Sequence, residues 1–178
     1  MEPIHSPVAR RWLSYVLYYV EQHEKLTASL SDELLGASVA AGEKESRSAG
    51  ELLQEAGMMI SHSINATVEI VPKMEAAIQK DEIVSALRRG REALCNYVAG
   101  LSEEELKRRR TTVLNKEASS FIEQMVVLVS QLSRTLGQVL LIARLHGHRF
   151  DIGKLDKHPF PDGYDDSVPC LDRQSLLN

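Results

Sequence analysis

One stretch decides most of what this chain can become: the proline-free run from about Glu117 to His146. Met125 to Val129 and Val139 to Ala143 are apolar on nearly every side. A helix that is apolar almost all round needs other helices around it. The stretch therefore predicts a helix set in the middle of a helical bundle, closed by Gly147.

The rest of the chain supplies the partners. From Ser6 to Leu35, Trp12, Val16, Tyr19, His23, Leu26 and Leu30 recur at spacings of four and three, one face of a helix. Ser6 can cap it, Pro7 suits its first turn and Gly36 marks its end. A second helix is expected to start near Ser48, which forms a capping box with Glu51. Its inward face reads Leu52, Ala56, Met59, Ser63 and Ala66, and the β-branched run Thr67 to Val71 before Pro72 closes it. A third covers about Lys80 to Val98, with Ile83, Leu87, Leu94 and Val98 inward and Arg88, Arg89, Arg91 and Glu92 outward. After Gly100, Ser102 opens a short helical piece in which Glu103, Glu104 and Glu105 each stand four residues before Lys107, Arg108 and Arg109. Each such pair contributes about 0.3 kcal/mol.

Four long amphipathic segments predict an all-α fold, a four-helix bundle. The pattern stops at Gly147, beyond which Pro159, Pro161, Gly163 and Pro169 break any periodicity. The expected division is a bundle over 1–148 and an irregular C-terminal extension over 149–178, with Phe150, Phe160 and Tyr164 as anchors onto the bundle.

Charge and cysteines narrow the function classes. The formal net charge of −4 lacks the basic footprint of a nucleic-acid binder, and the one basic run, Lys107 to Arg110, is neutralised by Glu103 to Glu105. Cys95 and Cys170 have neither metal spacing nor a disulfide framework. Cys95 is expected as a packed thiol and Cys170 as an accessible one, in a reducing, cytoplasmic compartment. No signal peptide is visible, and no segment reads as the roughly 20 apolar residues of a membrane span.

Three motifs then occur in order: Ser48-Ala49-Gly50-Glu51-Leu52-Leu53, Leu101-Ser102-Glu103-Glu104-Glu105-Leu106, and Leu136-Gly137-Gln138-Val139 running on to Arg144-Leu145-His146-Gly147. Together they resemble the DinB/YfiT-like superfamily over residues 8–148. The resemblance implies a four-helix bundle that does not run simply up and down, a homodimer, and a centre with three histidine ligands. It also implies metal-dependent thiol-transferases and isomerases among the relatives. The ligand positions fall here on Glu55, Gln131 and Thr135, none of them histidine.

Two functions follow as expectations. The first is a bundle with a degenerate metal site and no cofactor, acting as a small-ligand-binding or interaction protein. A network of Glu55, Gln131, Thr135 and Arg134 would then replace the metal, since a buried carboxylate needs a partner; a solvent-facing Glu55 is the alternative. The second is a thiol-transferase-like enzyme holding a divalent metal through Glu55 and the substituted ligands. His23 is a possible neighbour of the site or a core histidine. His62 lies two turns beyond Glu55, about 10 Å along the axis, too far to share one ion with it. His146, His148 and His158 lack regular ligand spacing and are expected near the helix C-terminus, where positive charge is favoured. Gly137, which weakens a helix by about 1 kcal/mol relative to Ala, is expected where another helix approaches closely.

Overall fold

The computed structural model describes residues 6–40, 46–64, 79–112 and 117–150. The predicted tail anchors Phe160 and Tyr164, together with His158 and Cys170, lie outside them, as does Ala66. The fold is all-α, with no strand among the described residues. Its elements are α1 (Pro7–Ser29), α2 (Asp32–Leu35), α3 (Ala49–Ser63), α4 (Lys80–Ala99), α5 (Glu103–Lys107) and α6 (Phe121–Leu145).

Capping chemistry sets most boundaries. Ser6 accepts from the Ala9 amide, with Pro7 in the first turn of α1. Capping boxes open α3 at Ser48 with Glu51, α5 at Ser102 with Glu105, and α6 at Ser120 with Glu123. In each, the serine oxygen takes one free backbone N–H and the glutamate takes another. The last box places the start of α6 at Phe121 rather than Glu117. The first predicted helix is likewise two. Leu30 turns extended, and Ser31 caps α2 by accepting from the Leu34 amide. At the far end of α6, Gly147 takes a positive φ of 79°, the conformation that closes a helix at lowest strain for glycine.

The long helices pack pairwise around one core. α3 lies against α4 and α6, and α1 lies against α6 and α4. The pairs α1–α3 and α4–α6 barely meet, so they occupy the diagonals. Helices consecutive along the chain are therefore mostly not neighbours in space. The predicted inward residues Val16, Leu26, Leu30, Leu52, Ala56, Ile83, Leu87, Leu94 and Val98 are all buried.

The α3–α4 seam is the tightest. A Cβ added at Gly57 would stand 2.9 Å from Ala86 Cβ and about 3 Å from the α4 backbone. One added at Gly90 would meet the Gly57 carbonyl oxygen at 3.0 Å and Ile60 Cβ at 3.1 Å. Here the two backbones touch. Gly137, by contrast, has nothing within 4 Å of its would-be Cβ. The close approach expected at Gly137 is not made among the described residues; Gly57 and Gly90 make it instead.

A clasp seats the N-terminus of α6. Arg110 and Ser119 exchange backbone hydrogen bonds at 2.9 Å, and Gln124 Nε2 donates to both their carbonyls. Arg109 donates to the Ala118 carbonyl and pairs with Glu123. The expected i,i+4 pairs of α5 do not form, because Arg108 already turns extended. Glu105 is held by Ser102 and reaches Arg110 instead.

Two further expectations change. α6 is, by length and composition, apolar enough to cross a membrane, with a mean hydropathy of 1.6 over its best window. Its inner residues, from Phe121 to Ala143, belong to the core, so a buried helix accounts for much of that apolarity. Cys95 is buried as expected but is disulfide-bonded rather than a thiol.

Candidate functional site

Glu55 sits on the second turn of α3, and its carboxylate pairs with Arg47, the residue before the Ser48 cap. Both side chains are partly exposed, at 32% and 44%. The capping box fixes the direction in which the chain enters α3, and that entry brings Arg47 back alongside Glu55. On α6, Thr135 and Gln131 share a face, one turn apart. Thr135 is sealed in the core and Gln131 lies half-buried at its margin. Arg134 projects into solvent. The partners expected for Glu55 were Gln131, Thr135 and Arg134; the one it has is Arg47, within its own segment.

This donor set does not suit the metal that the resemblance implies. Zinc and similar ions want imidazole or thiolate nitrogen and sulfur. Here one carboxylate is engaged with an arginine, and the other two groups are a neutral amide and a hydroxyl. No group of three or more His, Cys, Asp or Glu side chains able to hold a metal ion occurs among the described residues. His62 is half-buried, and His146 is exposed, its Nε2 meeting the Ser38 carbonyl at 3.2 Å.

The interior holds a second set of polar groups, on α1. His23 is fully buried. Its Nδ1 lies 2.7 Å from the Tyr19 carbonyl, so Nδ1 carries the proton and donates. Burial pushes its pKa down to about 4, against the smaller raising effect of that hydrogen bond. The ring is neutral near pH 7, and its Nε2 is an acceptor with no partner among the described residues. Gln22, also fully buried, has neither amide atom paired among the described residues. One position on, Glu24 pairs with Arg91 at 3.5 Å and stands 4.0 Å from Arg88. Burial raises the Glu24 pKa, and the two arginines pull it back. Arg91, expected to face outward, is turned in by this pair, its side chain only 13% exposed.

Sequence reasoning reached His23 through its place on the apolar stripe. It missed Gln22, which the stripe leaves to one side, and the Glu24–Arg91 pair, which needs the α1–α4 packing. The basic run forms an open cleft of about 600 Å³ lined by Glu105, Arg108, Arg109, Arg110, Thr111 and Ala118. Arg109 and Arg110 are spent on the clasp and on the Tyr97 hydroxyl, so the cleft is built for structure more than for an anion.

No model of a known protein family matches the chain, and no curated protein matches it.

Proposed function

We propose that this chain is a DinB/YfiT-like four-helix bundle whose metal site has degenerated, and that it works by association as an interaction protein and homodimer rather than by metal-dependent thiol transfer. The observation that carries this reading is the commitment of Glu55 to Arg47, while Thr135 is sealed in the core. A carboxylate already neutralised by a guanidinium gives a transition metal no soft donor, and the amide and hydroxyl at the other two positions add none. The diagonal placement of α1–α3 and α4–α6 supports the bundle with a non-sequential path that the resemblance implies.

The test is metal content by elemental mass spectrometry after incubation with zinc, nickel, manganese and iron and removal of the excess. The parent and Glu55→Ala are expected to retain equal, far substoichiometric amounts. Near-stoichiometric metal in the parent that is lost in Glu55→Ala would sink the reading and restore the enzyme.

A second reading, a polar small ligand held in the interior, is favoured by the unpaired amide of Gln22 and Nε2 of His23. Buried polar atoms in folded proteins nearly always have partners. Consecutive residues, however, point about 100° apart around a helix, so the two side chains do not converge on one spot, and association remains the stronger reading.

A further inference from the structure

The outward side of α6 is unusual for a surface helix. Of the six exposed large hydrophobic residues among those described, four lie on it: Ile122 at 41%, Val126 at 45%, Leu141 at 50% and Leu145 at 59%. Ser130, Ser133 and Gly137 fill the stretch between Val126 and Leu141, all exposed. The stripe lies opposite the face that Leu128, Leu132, Thr135, Val139 and Ile142 turn to the core. It runs about 35 Å along the helix. Charged residues on this side are few: Glu123 near its start, Arg144 near its end, and Arg134 at its edge, where a long stem lets the guanidinium reach water. Gly137 sits in the middle with open space above it, and no contact within the chain explains a glycine there.

The order of these residues reads nearly the same when reversed about the point between Ser133 and Arg134. Ile122 exchanges with Leu145, Glu123 with Arg144, Val126 with Leu141, and Ser130 with Gly137. A two-fold axis makes each contact twice, residue i on j and j on i. We propose that this face of α6 docks on the same face of a second copy, with the two helices antiparallel and the axis passing beside Ser133. This names the partner surface of the associating bundle put forward above, and rests on that reading.

Charge chooses the direction. Antiparallel pairing brings Arg144 at both ends toward the Glu123 carboxylate, which keeps its bonds to Ser120 and Arg109 and adds the second guanidinium, and the positive N-terminal end of each helix meets the negative C-terminal end of the other. Parallel pairing would set Glu123 against Glu123 and Arg144 against Arg144. In the middle, Ser130 facing Gly137 lets the backbones come close, as Gly57 and Gly90 do at the α3–α4 seam. Val126 facing Leu141 above and below excludes water from the contact.

The test is molar mass by light scattering on the full chain at about 100 µM, a concentration at which micromolar dimers are formed. The parent is expected at twice the chain mass of 19.9 kDa. Val126→Glu places a carboxylate against Leu141 of the other copy, and should raise the dissociation constant at least about tenfold. The double variant Val126→Glu with Leu141→Lys pairs opposite charges only in the antiparallel register, and should recover most of the lost affinity. Circular dichroism checks that helicity is unchanged, as the exposure of both sites leads one to expect. Should Val126→Glu lose helicity, Arg144→Glu, a fully surface change that sets two carboxylates together, takes its place and should weaken the dimer several-fold. A monomeric parent overturns the proposal, and co-sedimentation of that monomer with phosphatidylcholine vesicles would assign the face to lipid. A dimer indifferent to Val126→Glu, or one that the double variant fails to restore, also overturns it. None of these outcomes depends on metal content, so this proposal and the degenerate-site reading can fail separately.

Discussion

The α3–α4 seam and the buried half of α1 sit in the same core and are built on opposite terms. At the seam, Gly57, Ala86 and Gly90 bring two backbones into contact with aliphatic Ile60 and Leu87 alongside. The groups that a Cβ at Gly57 or Gly90 would meet there are backbone and aliphatic carbon. Along α1, from Gln22 to Thr27, the chain buries an amide, an imidazole and a hydroxyl, and half-buries a carboxylate beside Arg91. Thr27 returns its hydroxyl to the His23 carbonyl at 2.7 Å, and His23 returns its ring N–H to Tyr19. Gln22 returns nothing. The comparison teaches that burial alone does not measure stabilisation. The seam gains from every contact, while α1 offsets some of its packing with desolvated groups left unpaired.

The largest effect that could break the contrast is one of pH. The folded-state pKa of His23, about 4, lies below its ordinary 6.5. Between these values the unfolded chain binds a proton that the folded chain does not, so stability rises with pH through this window. It is fully present above about pH 6.5 and falls by up to about 3 kcal/mol as the pH drops to 4. Urea midpoints at pH 4.5 and 7.5 measure it, and His23→Gln should lose most of the difference. An unchanged difference in that variant would show that His23 is not the group responsible.

Next comes the seam. Gly57→Ala adds a methyl group where Ala86 and the α4 backbone already stand at about 3 Å. It should destabilise by about 1–3 kcal/mol through overpacking, in spite of alanine's better helix propensity. A neutral or stabilising result in urea would mean that the helices separate freely, and the seam would no longer be the rigid member of the pair.

The smallest effect concerns Gln22. Gln22→Met keeps the length of the side chain and removes two unpaired polar atoms. The variant should be neutral or stabilised by about 1 kcal/mol, read from the same urea midpoint. A loss of comparable size would show that the amide is bound to something, and would strengthen the small-ligand reading.

Much of this fold was legible in the sequence because helix periodicity and capping are local. Ser48 with Glu51 is a capping box on the page and in space. Ile83, Leu87, Leu94 and Val98 follow from spacing alone. The division at Leu30 was missed because the apolar stripe continues through it, while Ser31 competes for the backbone of the next turn. The start of α6 was placed early because the Ser120–Glu123 box went unread.

The candidate site was less legible, since partners are chosen by packing. Glu55 is paired by Arg47, which reaches it from a loop, at a spacing that no helix pattern records. Glu24 and Arg91 lie on different helices; Arg91 was read as facing outward, and helix spacing gives no sign of its partner. Gly137 drew attention for the right reason and in the wrong place. A glycine in a helix does mark a close approach, but within the chain that role belongs to Gly57 and Gly90.

The diagonal arrangement of the helices has a consequence for how the chain is made. α3 and α4 follow one another and pack together, so their seam can form as soon as both have left the ribosome. α1 cannot complete its packing then, because one of its two main neighbours, α6, comes last among the long helices. The α1–α6 contacts close over about a hundred residues, and contacts that distant in sequence form slowly. The order of synthesis thus leaves the helix that buries an imidazole and an amide to be completed by the most apolar helix of the chain.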